Sequence, residues 1–348
     1  ELTLKPSTYD GRPWFLSFVD TNSRDQIQRP IQPGRQLESF AFLGSWNTFL
    51  SELADKALPE DWDFSSSSQK DHYILIQYIK YTFYRLKREN KVCISRDRQF
   101  ACFNTGLVDK HYDDIYACFV PNDPGSETEW KFSGFCTAAS RTLGKQIVNC
   151  FNPLPQPPRY FEHGEQLFYD ANRALLTDFD HIIIDNISRL PVQFLYDQFT
   201  DCEEARTIVE ELPTADFRRK RELYEQLKTI VSDNSRLFIR IQNRLKDSIE
   251  LAKKRVSRNY KTAIPSYYPK RNTMSLMLPL CLTDEETPDI ALVVEQTEAG
   301  NYQGQTILTL PQAYVDARLL CQLNSEWLTT SKINSDENDE ATEDITTE

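Results

Sequence analysis

Between Ser235 and Tyr260 apolar side chains return at three- and four-residue steps. They are Phe238, Ile241, Leu245, Ala252 and Val256, with Ser248 and Ile249 at the intermediate turn. That is the period of one helix face. At 1.5 Å per residue such a helix is ~40 Å long, and its stripe needs cover along that whole length. The chain is therefore committed to a helical layer packed on something equally broad. The pattern predicts further helices on the same side of the sequence, over 164–176, 178–189, 192–200, 202–212 and 214–231. Pro191, Pro213 and the Ser232-Asp-Asn-Ser235 cluster separate them.

The flanking regions read differently. Helices are expected at Trp46–Ala57 and Asp71–Asn90. They are followed by short strands at Val92–Ile94 and Phe100–Phe103 around Arg96-Asp-Arg98, then at Asp114–Pro121 and Trp130–Phe135. A helix followed by a basic hairpin fits a winged helix, and it equally fits an ordinary α+β sheet. Strands return at Ser275–Leu282, Ile290–Glu295 and Thr306–Leu310, and Pro311 suits the first turn of a helix running to Leu320. The fold class is α+β: a mixed, largely antiparallel sheet from early and late strands, with a helical middle region. Residues 1–37 are expected to be extended, with a short strand at Trp14–Val19. Residues 38–330 form a single domain with a possible sub-boundary at the proline-rich stretch 151–159.

Of the formal net charge of −12, half sits in Ser331–Glu348, where seven acids face one Lys332. That segment has no aromatic residue and is expected to be a disordered acidic tail. Residue 1 is Glu, which suggests a fragment or a processed product, and no signal peptide is visible. No apolar run is long enough to cross a bilayer, so no membrane association is expected. The eight cysteines include no C-x-x-C pair. They read as reduced thiols, most of them buried, and the expected location is cytoplasmic. GxGxxG, P-loop, HExxH, GxSxG and EF-hand signatures are all missing, and no cofactor is expected.

Against this acidic background, Arg236–Arg271 carries eleven cations and two acids, a local charge of +9. Like charges stacked at four-residue steps repel unless they are solvated, paired with acids or matched to a polyanion. One reading makes this a nucleic-acid site. Arg240, Arg244, Lys254, Arg258 and Lys261 would hold the backbone of RNA or a single strand, and Tyr260 and Tyr268 in an adjoining Tyr-rich loop would stack on bases. The other reading is a solvated or internally paired helix face.

A second cluster is Asp178-Phe-Asp-His-Ile-Ile-Ile-Asp-Asn-Ile-Ser-Arg189. On a helix, His181, Asp185, Ser188 and Arg189 share one side. A carboxylate one turn from a histidine can orient it as a general base. The alternative function is thus an enzyme processing a nucleotide or RNA phosphoester, with His181, Asp185 and Arg189 catalytic and Arg258 and Lys261 clamping phosphate. The local alternative is an Asp178 cap and an ordinary four-residue pair. In Asn104-Thr-Gly-Leu107, Asn104 and Thr105 are candidate phosphate donors, although a plain turn explains them too.

Several segments carry a resemblance. They are Ala252-Lys-Lys-Arg-Val-Ser-Arg-Asn-Tyr-Lys-Thr-Ala-Ile-Pro-Ser-Tyr-Tyr268, Leu278–Leu282, Ala291–Glu295, Thr306–Leu320 with Ser325-Glu-Trp327, and upstream Phe103–Leu107, Asp114–Ala117 and Asp180–Asn186. Over roughly residues 38–328 the chain resembles a domain-of-unknown-function family of bacterial and fungal proteins. The resemblance implies association with cold-shock-type, OB-fold or LOTUS-type RNA-binding modules, and with it RNA or a nucleotide phosphate as partner. It names no reaction.

Overall fold

The computed structural model describes residues 2–6, 14–19, 32–64, 71–269 and 271–333. Two units are distinguished, residues 1–32 and the chain from Pro33 onward. In the first, strand β1 (Leu2–Pro6) pairs antiparallel with β2 (Trp14–Val19).

The second unit is α+β. Its early part contains α1 (Gln36–Phe40), β3 (Ala41–Phe42), α2 (Trp46–Lys56), α3 (Tyr73–Arg88), β4 (Cys93–Ile94), β5 (Ala101–Val108), β6 (Asp114–Pro121), β7 (Trp130–Cys136) and α4 (Leu143–Cys150). The strands form one sheet in the order β3-β7-β6-β5-β4, with β3 parallel to β7 and the other pairs antiparallel. The basic hairpin β4–β5 is the edge of this sheet rather than a free wing.

The late strands build a second sheet: β8 (Leu175–Thr177), β9 (Ile264–Tyr268), β10 (Thr273–Leu280), β11 (Ile290–Gln296) and β12 (Tyr302–Thr309), in the order β8-β12-β11-β10-β9. Only β8 runs parallel to its neighbour. Between β8 and β9 lie α5 (Val192–Gln198), α6 (Glu203–Glu211), α7 (Phe217–Asp233) and α8 (Ser235–Arg258), and after β12 comes α9 (Leu310–Arg318). Side-chain caps start the two long helices. The Asp216 carboxylate accepts from Arg219 N at 2.8 Å, and Asn234 Oδ1 accepts from Arg236 N at 3.2 Å. Pro311 sits in the first turn of α9, where a missing N–H costs nothing.

Strand alternation distributes these elements into layers. Leu276, Leu278, Leu280, Leu292 and Val294 turn one face of the late sheet toward α5–α8, where they meet Leu237, Ile241, Leu245 and Val256 of α8. The opposite face presents Met277, Ala291, Val293 and Leu308 to a core shared with α1, α2, α3, α9 and the inner face of the early sheet, including Phe103, Ala117 and Phe119. On the early sheet's outer face Cys102, Cys118 and Cys136 pack with Ile147 of α4. Here Cys118 Sγ lies 3.6 Å from Cys136 Sγ and both thiols are free. Hydrogen bonding with Cys102 and burial push the Cys118 thiol up, and hydrogen bonding with Cys118 and burial push the Cys136 thiol up. Among the described residues no helix is long and apolar enough to cross a membrane.

Several local expectations are corrected. Residues 164–176 are a 3-10 turn (Gly164–Leu167) followed by irregular chain and β8, because Asp170, Asn172 and Arg173 bond one another as a turn. Residues 178–189 are a π-helical turn (His181–Asp185) and a 3-10 turn (Ile187–Arg189), not one α-helix. The Tyr-rich loop after α8 is strand β9, whose Tyr268 pairs with Thr273 of β10. The proline-rich stretch 151–159 is tied to the early sheet and α3: Pro155 O accepts from Asn104 Nδ2, and Arg159 O accepts from Arg85 Nε of α3 at 3.1 Å. Of the acidic tail, Ser331 and Lys332 belong to a 3-10 turn (Thr330–Lys332) and Ile333 is buried, and residues 334–348 lie outside the described residues.

Candidate functional site

Two cavities of opposite charge collect the polar side chains that the sequence singled out. The first, of 1210 Å³, lies at the C-terminal end of α8. Lys254, Arg255, Arg258 and Lys332 line it against Glu286 and Glu326, which leaves it net positive. Cations at a helix C-terminus also complement the unsatisfied carbonyls there. Asn259 then ends the helix, its Oδ1 accepting from Lys261 N at 3.1 Å, and opens a 3-10 turn, Tyr260–Thr262. The buried Trp327 fastens that turn by donating Nε1–H to Thr262 O at 3.0 Å.

The basic stretch divides according to what its charges meet. Arg240 is bound internally: its guanidinium pairs with Asp201 and donates to Gln198 O at 2.6 Å and Thr200 Oγ1 at 3.1 Å. That contact holds the Asp201 carboxyl below the usual range. Arg244 donates to Leu282 O at 3.2 Å, and Lys253 pairs with Glu250 at 2.9 Å. Arg255 donates to Cys281 Sγ and to Glu285 O, and Arg271 pairs with Glu295 at 3.5 Å. Lys254, Arg258 and Lys261 are exposed, and among the described residues no carboxylate lies within ion-pair distance of any of them. Beside them Tyr260, 57% exposed, meets Phe168, 49% exposed, edge to face with ring centroids 5.5 Å apart.

The second cavity, of 610 Å³, is built on the inter-sheet face of the late sheet. That face is apolar under α9 and polar toward β9 and the π turn. Ser266, Tyr268, Glu295 and Thr306 project there, and α9 adds Gln312 and Asp316. The π turn contributes His181 and Asp185, with Nδ1 and Oδ2 2.8 Å apart, and the following turn contributes Ser188 and Arg189. Arg189 donates to Thr306 Oγ1 at 3.0 Å and to Ile307 O at 2.9 Å. Asp178 accepts from His181 N at 3.2 Å, which is the capping role weighed for it.

His181, Asp185, Ser188 and Arg189 thus share one cavity, and Tyr268 joins them there. Arg258 lines the other cavity, so the phosphate clamp assigned to it is not assembled around His181. Asn104 and Thr105 are fully buried in β5, where Asn104 Oδ1 accepts from Gly106 N and Thr105 Oγ1 donates to Ile115 O. They face no phosphate site. Among the described residues no group of three or more His, Cys, Asp or Glu side chains is placed to hold a metal.

Asp316 was missed by sequence reasoning. Burial pushes its carboxyl up to about 8, against a smaller opposing pull from Arg189. Its signal was present: one acid inside the otherwise apolar run Ala313-Tyr-Val-Asp-Ala317. Glu295, at the polar end of a buried strand, gave the same kind of signal.

A family model described as a domain of unknown function (DUF3825) matches residues 53–327, which takes in both cavities. No curated protein and no solved structure matches the chain.

Proposed function

The chain belongs to the DUF3825 family, and for this member we propose binding of RNA or another single-stranded nucleic acid at the C-terminal end of α8. The observation that carries this reading is the exposed aromatic pair Phe168–Tyr260 set beside three exposed cations, Lys254, Arg258 and Lys261, that have no carboxylate partner among the described residues. Unpaired lysine and arginine supply sequence-independent attraction to phosphates, and an exposed ring gives a base a stacking surface. The net positive cleft continues the same surface through Lys332. The RNA-binding modules implied by the family resemblance point in the same direction.

The phosphate contacts reduce to Lys254, Arg258 and Lys261, because Arg240 and Arg244 are engaged within the fold. Of the two tyrosines, Tyr260 is the stacking residue, and Tyr268 belongs to the acidic cavity. A labelled oligonucleotide titrated at increasing salt tests the proposal. With three phosphates neutralised, log K should fall with log salt at a slope of about −2. Tyr260→Ala should weaken binding by about 1–3 kcal/mol, and the combined variant Lys254→Ala, Arg258→Ala, Lys261→Ala should flatten the slope. Absence of binding at low salt, or a slope unchanged by the triple variant, ends the proposal.

A further inference from the structure

The second cavity is chemically unlike the first. Four carboxylates line it, those of Asp178, Asp185, Glu295 and Asp316, against the guanidiniums of Arg189 and Arg271. Most of these charges are engaged. Glu295 pairs with Arg271 and accepts from Thr273 Oγ1 at 3.2 Å, and Arg271 also donates to Gln305 at 3.2 Å. Asp185 holds His181, and Asp178 caps the turn. Asp316 differs: among the described residues no donor lies within hydrogen-bond or ion-pair distance of its carboxyl. It is half-buried on α9, facing α3 and the late sheet, and opens on the cavity that it lines.

A half-buried carboxyl with no protein donor has its charged form only partly compensated, because desolvation without a partner is costly. A ligand able to donate to it with positive charge relieves that cost directly. The cavity volume lies in the range of small-molecule sites. Its acidic excess disfavours a phosphate, and the described side chains offer no metal-ligand set. Tyr81 and Tyr268 in the wall are the aromatic type found around organic cations. We propose that this cavity binds a small organic cation, an alkyl ammonium or guanidinium compound, with its charged end against the Asp316 carboxyl. This site is independent of the nucleic-acid reading.

The proposal has a thermodynamic signature. Tyr73 and Tyr81 of α3 and Arg189 face Asp316, and His181, Arg271 and Glu295 lie across the cavity. With no cation bound, desolvation keeps Asp316 largely protonated at neutral pH. A bound cation favours the carboxylate, so binding expels that proton.

Isothermal titration of the full chain with putrescine, agmatine, spermidine, AMP and inorganic phosphate tests this, run at neutral pH in two buffers of different ionisation heat. The expected result is binding of an amine or guanidine and no binding of AMP or phosphate at this site, with close to one proton released per ligand. Asp316→Asn, which keeps the neutral shape, should retain the folded Tm, weaken that ligand by about thirtyfold or more, and abolish the proton release. Glu295→Gln should leave the proton release in place. Failure of every amine to bind, binding without proton release, or a proton release that survives Asp316→Asn overturns the proposal.

Discussion

At the scale of single residues, Glu60 and Arg318 form a buried ion pair across the unit from Pro33 onward. The guanidinium donates to the carboxylate through Nε at 2.5 Å and through Nη2 at 2.8 Å, and both side chains are under a tenth exposed. The same guanidinium lies over the rings of Trp62 and Tyr78, 4.9 Å and 4.7 Å from their centroids. Bidentate geometry and aromatic faces together explain why arginine is used here and lysine would not serve. Removing one partner leaves the other charge buried and uncompensated. Glu60→Ala is therefore expected to destabilise the chain by about 3–5 kcal/mol. A fall in the urea midpoint with unchanged m-value would show it, and a loss under about 1 kcal/mol would mean that the pair behaves like a solvated surface bridge.

At the scale of elements, α8 shows what patterning reveals and what it hides. Its stripe was legible: Ile241, Leu245, Ala252 and Val256 recur at helical steps, and all are buried. Leu245→Ala should cost about 2–5 kcal/mol, because the late sheet and α7 leave little room for the site to collapse. Urea unfolding checks this, and Ile239→Ala on the exposed side serves as the control. The longer strands β5, β6, β7, β10, β11 and β12 were legible for the same reason, through alternation and turn residues, while the short or edge strands β3, β8 and β9 were not. Residues 164–176 were not, because Leu167, Phe168, Leu175 and Leu176 mimic a helical period while the Asp170–Arg173 turn breaks it. Nor were the partners of the cations. Arg240 and Arg258 look alike in sequence, and only the approach of Asp201 from the α5–α6 connection makes one an internal brace and leaves the other facing outward. The His181 cluster was legible as neighbours on a turn. Its cavity was not, since Glu295, Thr306 and Asp316 reach it from two strands and a helix more than a hundred residues later.

At the scale of the molecule, the unit from Pro33 onward stacks the α5–α8 layer, the late sheet, the core helices, the early sheet and α4. Packing α9 on α3 and the late sheet leaves Asp316 half-buried against apolar neighbours, with a consequence for pH. An acid whose native pKa lies near 8, against 3.8 in the unfolded chain, keeps its proton on folding while the unfolded chain releases it. The stability owed to the neutral form is fully present below about pH 4 and is lost as pH rises through about 8, by no more than about 1.4 kcal/mol per pH unit. Asp201, held low by Arg240, acts in the opposite sense at the acid end. Unfolding measured across this window should slope downward with pH, and Asp316→Asn should remove much of the slope. An unchanged slope would place the proton elsewhere.

The arrangement around α9 also bears on how the chain is made. Arg318 follows Glu60 by 258 positions, and the helix that carries it packs on α3 and on late-sheet strands that have all been synthesised earlier. A ribosome translating this message must release nearly the whole family domain before the central plug arrives. The early sheet already has its cover from α1, α2 and α3 by then, through Phe40, Phe49 and Phe83. The apolar face of the late sheet and the side of α3 that receive α9 instead stay open to solvent until synthesis is nearly complete, the interval in which such surface is most prone to aggregate.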